Sequence, residues 1–160
     1  MDRRGISPVI ATVIIVAVTI AVSIAVAYWM GGLASFFTRF EKIEIGSAYA
    51  SLNATNFFVI KLSSIKNTGS ADATITSVLV NGKLTSDYTS PTTITVKYST
   101  TGSSESDFPT TGIPLTSGSS ISYIKLTVAS GTAPFTSGTT LSVTLHTASG
   151  KDYPVNVALP

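Results

Sequence analysis

Residues 5–38 contain no charged side chain, and within them residues 9–33 are almost continuously apolar. Such a run exceeds the roughly 20 residues that cross a bilayer as a helix. A helix that is apolar all round has to be buried in lipid or in other protein. Leaving more than about twenty aliphatic side chains in water would cost tens of kcal/mol at about 25 cal/mol per Å². The chain therefore starts in a membrane, and any later position outside it requires another apolar environment for this segment.

Ser7-Pro8 is a good helix start, because serine caps free N–H groups and proline at the first helical position has none to lose. No further proline occurs until Pro91, and Gly46 is the first left-handed stop after Phe40, Ile43 and Ile45. The pattern predicts a helix from Pro8 to near Glu44, about 37 residues and roughly 55 Å long, softened only at Gly31-Gly32. Its last part, Arg39-Phe40-Glu41-Lys42-Ile43-Glu44, alternates apolar and charged residues, so it is expected to leave the lipid and pack on the domain that follows. Asp2, Arg3 and Arg4 precede the apolar run, and basic residues there hold the N-terminus in the cytoplasm and send the rest outward. A secretory signal has a shorter apolar region of about 7–15 residues, so this one is expected to be retained.

Beyond Gly46 roughly a third of the residues are Ser or Thr, with Gly and Pro between short β-branched runs. Period-two runs at residues 57–63, 74–80, 92–99, 121–129, 139–147 and 151–159 read as strands of an antiparallel sandwich. Asn81-Gly82 and Ala148-Ser149-Gly150 read as hairpin turns. In the run before the latter, Leu141, Val143 and Leu145 face the core and Ser142, Thr144 and His146 face solvent. Residues 99–120, rich in Ser, Thr, Gly and Pro, read as a long exposed connection: a binding loop, a passive loop or a contact between neighbouring subunits. The fold class expected is α+β, a long hydrophobic helix followed by an immunoglobulin-like antiparallel β-sandwich head of about seven strands.

Composition narrows the function. With 160 residues there is room for one compact domain and one long extra element. Cysteine is absent, which removes disulfides and thiolate metal sites and leaves the redox compartment open. The net charge is only +2, and Lys61, Lys66, Lys83, Lys97, Lys125 and Lys151 are scattered, so no nucleic-acid partner is expected. No catalytic constellation is visible. The single histidine, His146, lacks a second His or Cys to complete a zinc set, and reads as a surface or intersubunit polar residue. Asp87, Glu105, Asp107 and Asp152 lack the alternating acidic pattern of a calcium loop. Without a glycine-rich phosphate loop, the chain has no NTPase of its own. The expectation is a non-enzyme with no cofactor and no metal.

The residues Arg3-Arg4-Gly5-Ile6-Ser7-Pro8-Val9-Ile10-Ala11 resemble the class III signal peptide of archaeal type IV pilins. In that family a short basic leader is removed by a prepilin peptidase, which by the resemblance cuts between Gly5 and Ile6. The apolar segment then stays on the mature protein and forms the core of a homopolymeric filament. The division implied is a leader over residues 1–5, an assembly helix over 6–45 and a head over 46–160. The resemblance also implies an external assembly ATPase, a membrane platform protein, and export from the cytoplasmic membrane to an extracellular filament, with adhesion the expected use. The turn Lys66-Asn67-Thr68-Gly69-Ser70 followed by Ile75, Val78 and Val80 is similar to the heads of archaeal pilins and archaellins. An archaellin motility filament and a membrane-anchored extracellular ligand-binding sandwich are the alternatives.

Small residues recur at four-residue spacing as Ala17, Ala21 and Ala25 and as Ser23, Ala27, Gly31 and Ser35, which lets neighbouring helix backbones approach. The same residues are common in any transmembrane helix, and both readings stand. Tyr28 and Trp29 read as rings at the outer membrane interface or as simple packing at the helix end. Asn53-Ala54-Thr55 is a glycosylation sequon.

Overall fold

The computed structural model describes residues 8–131 and 133–160, with Ser35 described by its backbone alone. The expected processing bond between Gly5 and Ile6, with Arg3, Arg4 and Ser7, lies outside these residues. The chain divides into two units, Met1–Arg39 and Phe40–Pro160.

In the first unit, helix α1 runs Pro8–Phe37. It starts at the expected proline and ends before the expected Glu44. Its 30 residues extend about 45 Å at 1.5 Å per residue, still longer than a hydrocarbon core of roughly 30 Å. The expected extension fails because Ile43 and Ile45 stand two residues apart, the spacing of one strand face, and a partner strand pairs this segment along its length. Residues 43–52, placed partly in the helix and partly without structure by the pattern, form the first strand.

The head is a two-sheet antiparallel sandwich. Its strands are β1 (Ile43–Leu52), β2 (Phe57–Asn67), β3 (Ala73–Val80), β4 (Lys83–Leu84), β5 (Thr95–Ser99), β6 (Ser106–Asp107), β7 (Ile113–Leu115), β8 (Ser120–Ala129), β9 (Thr140–Thr147) and β10 (Asp152–Ala158). One sheet has the order β1-β2-β8-β5-β6; the other has β10-β9-β3-β4, with β7 pairing β3. The six expected runs all become strands. The expected open connection at 99–120 carries β6 and β7 as well, and Ile113 and Leu115 are buried. Three residues are too short to show a period.

The core lies between the sheets. Phe58, Ile60 and Leu62 of β2 and Ile124, Leu126 and Val128 of β8 meet Val78 and Val80 of β3 and Leu141, Val143 and Leu145 of β9, all buried. The inward side switches part-way along β2, from even-numbered residues up to Leu62 to the odd-numbered Ile65 and Asn67. The switch occurs at Ser64, whose φ of 56° breaks the ladder. On β8 the matching change separates Ile121 from Ile124. On β1, Gly46 lies in this row, and a side chain there would bring its Cβ within 2.8 Å of the Ser64 Cβ. Asn81 and Gly82, at φ 52° and 76°, make the expected tight turn between β3 and β4.

Candidate functional site

The candidate site is the surface of α1. Its aliphatic side chains are exposed on consecutive residues, so no single face is apolar: Val13, Ile14, Ile15 and Val16 are 62%, 54%, 62% and 55% exposed. The segment Pro8–Ala34 has the length and composition to cross a membrane, and none of it is buried within the chain. The hydroxyls of Thr12, Thr19 and Ser23 do not interrupt the apolar surface. Thr12 Oγ1 donates to the Val9 carbonyl at 2.8 Å, Thr19 Oγ1 to Val16 at 2.8 Å, and Ser23 Oγ to Thr19 at 2.6 Å. In these three the hydroxyl hydrogen is spent on the helix's own backbone, which is how a hydroxyl enters an apolar environment at low cost. The sequence pattern lists these residues as polar and does not show this; helical spacing to a carbonyl three or four residues back is the signal.

Ala17, Ala21 and Ala25 and the series Ser23, Ala27, Gly31 and Ser35 all fall on this helix. Among the described residues, and apart from the helix's own adjacent backbone, nothing lies within 4 Å of the position a Cβ would take at Gly31 or Gly32. Tyr28 and Trp29 project at 87% and 67% exposure, and Phe36 and Phe37 continue the aromatic run to the helix end. That second aromatic pair extends what Tyr28 and Trp29 alone suggested.

The head is internally satisfied. Among the described residues no buried side-chain nitrogen or oxygen lacks a hydrogen-bond partner. Asn67, within the turn singled out by sequence, is fully buried. Its Nδ2 donates to the carbonyls of Ala71 at 2.8 Å and Leu115 at 2.9 Å, and its Oδ1 accepts from Gly69 N–H at 3.0 Å. Glu41, just before β1, is also buried; its carboxylate accepts from Ser149 Oγ, while Lys151 Nζ and Tyr153 Oη donate to its main-chain oxygen at 3.1 and 3.2 Å. Burial first, and then the nearby Glu41 charge, push the Tyr153 phenol above its ordinary value.

The residues weighed as metal ligands are dispersed. His146 Nδ1 lies 2.6 Å from Asp152 Oδ1, directly across the β9–β10 ladder. Asp107 meets Lys97 at 3.6 Å. Asp87 accepts from Ser86 Oγ at 3.4 Å. Glu105 is bonded through both carboxylate oxygens to Lys125 and accepts from Tyr123 Oη at 3.1 Å. The Lys125 ammonium holds the Glu105 carboxyl below the usual glutamate range. Among the described residues no group of three His, Cys, Asp or Glu side chains converges.

The lysines that looked scattered in sequence are partly gathered by the sheet. Lys61 of β2 lies opposite Lys125 of β8, which lies opposite Lys97 of β5. Like charges directly opposite are unfavourable, and each finds relief: Lys125 in Glu105, Lys97 in Asp107, and Lys61 over the Tyr123 ring at 3.9 Å. The sequon is placed at the β1–β2 hairpin tip, where residues 53–56 are exposed. There Asn53 N–H donates to the Phe57 carbonyl at 2.8 Å, and Asn53 Oδ1 accepts from Ala54 N–H at 2.6 Å.

No protein-family model and no curated protein matches this chain. Two solved structures are similar to it at low identity. A chain of the archaeal flagellum of Methanospirillum hungatei strain JF1 gives a TM-score of 0.40 at 14% identity, over 94% of this chain and 88% of that one. A chain of the Iho670 flagellar-like filament gives 0.36 at 14% identity, over 96% of this chain and 98% of that one.

Proposed function

We propose that this chain is the structural subunit of an extracellular archaeal type IV pilus-like filament used for surface adhesion, with α1 bundled in the core and the sandwich outside. The observation that carries this is the pairing of two units with opposite needs. The head buries a core of its own and, among the described residues, leaves no buried side-chain nitrogen or oxygen without a partner, whereas α1 exposes aliphatic side chains on every side and bonds its Thr12, Thr19 and Ser23 hydroxyls to its own backbone. Lipid meets the need of α1 before assembly, and copies of the same helix meet it afterwards. The leader-like residues Arg3 to Ala11 supply the route from one to the other.

In this reading the protein is not an enzyme. A prepilin peptidase cuts after Gly5, and a separate ATPase and platform protein drive extraction from the cytoplasmic membrane. The sequon at the hairpin tip is open to modification by a glycan on Asn53. N-terminal sequencing of the exported protein tests the processing step: Ile6 is the expected first residue, and Gly5→Leu should leave uncut precursor in the membrane. Normal cleavage of that variant would refute the placement of the bond.

A further inference from the structure

A groove opens in the head where the two sheets part, between the β3–β4 side of one sheet and the β5–β6 side of the other. Its volume is about 430 Å³, within the roughly 300–1,000 Å³ that small-molecule sites occupy. Strand β3 explains why it is there. On its side away from β9, Ala73, Thr74 and Ile75 pair with β7, and Leu79 and Val80 pair with β4. Between them, among the described residues, no strand pairs with Thr76, Ser77 or Val78 on that side, although Ser77 and Val78 pair with β9 on the other. The result is a short length of unpaired strand edge inside a groove.

From this geometry we infer that the groove is a binding site for a neutral saccharide. Its lining combines the two things a sugar ring needs. Ser77 and Thr85 bring hydroxyls that both donate and accept, Thr76 and Ser86, whose hydroxyls already donate to the His146 carbonyl and the Asp87 carboxylate, bring acceptors, and the Asp107 carboxylate accepts from paired sugar hydroxyls. Leu84 and Phe108 give apolar surface for the C–H face of the ring. Phe108 is fixed in place by its N–H, which donates to the Val96 carbonyl at 3.2 Å. Neutrality follows from charge. The one carboxylate in the lining already has Lys97 at 3.6 Å, so no unpaired cation in the lining awaits an acidic sugar.

An extended peptide fits less well. The unpaired edge spans only three residues of β3, about 10 Å at roughly 3.3 Å per residue. It is stopped at one end by β7 and at the other by β4, so a strand cannot run through it. A compact ring can sit there.

The test uses the full chain in a sugar-free zwitterionic detergent, with saturation-transfer NMR on glucose, galactose, mannose and N-acetylglucosamine at millimolar concentration. Binding of at least one is expected. Thr95→Trp, at an exposed position on the groove wall, should abolish it, and Asp107→Ala should weaken it by about tenfold or more. Circular dichroism and a thermal midpoint close to the parent's establish that both variants are folded. The inference is overturned if no neutral sugar receives saturation, or if binding survives unchanged in the folded variants.

Discussion

Asn67 shows how much one side chain does in this head. Its amide ties the turn after β2 to both Ala71 and Leu115 while accepting from Gly69. Replacing it with alanine leaves buried main-chain groups without partners, each costing about 1–3 kcal/mol. We expect Asn67→Ala to destabilise the head by about 2–3 kcal/mol, read from the urea midpoint of the full chain in detergent; an unchanged midpoint would contradict the buried network. Glu105 tests the charge row. Its carboxyl is depressed by Lys125, so the pair adds stability above the ordinary glutamate range and loses it as pH falls through the lowered value. The group is partly exposed and the pair sits at the surface, so the contribution is under about 1 kcal/mol. Glu105→Gln should lower the thermal midpoint slightly at neutral pH and by less in acid. An equal loss at both pH values would mean that packing, not charge, is what the glutamate supplies.

At the level of elements, the sequence was most readable where a period was long and uninterrupted. Pro8 marked the helix start, and Leu141, Val143 and Leu145 marked the inward face of β9. The helix end was misread because Phe40, Ile43 and Ile45 fit a helical stripe as well as the two-residue spacing that wins once β2 lies alongside. β7 was hidden because Ile113-Pro114-Leu115 is too short to stand out from its Ser, Thr and Gly surroundings. The candidate site divides in the same way. The exposed helix was legible from composition alone, whereas the back-bonded hydroxyls and the unpaired stretch of β3 depend on partners that the sequence does not identify. Gly69 shows an element-scale constraint of this kind: a Cβ there would lie 2.4 Å from the Phe40 carbonyl oxygen and 2.6 Å from the Lys42 nitrogen. Both are backbone atoms and cannot swing aside. Gly69→Ala should therefore cost more than about 2 kcal/mol, and a stability equal to the parent's would show that the 40–42 segment is free to move.

For the whole molecule, the head buries a core of its own while α1 exposes its aliphatic side chains. Burying a lone carboxylate in a packed helix bundle is costly without a partner. Val18→Asp or Ile24→Asp should consequently abolish filaments while leaving the head folded, and normal filament yield from either would show that these side chains are not in a core. The proposal itself is tested most directly by electron microscopy with helical reconstruction of filaments sheared from cells producing this protein, with the subunit identified by mass. We expect a polymer of this chain beginning at Ile6, with the helices at the centre and the sandwiches outside. Finding the protein solely as dispersed membrane monomers, absent from every filament, would contradict it.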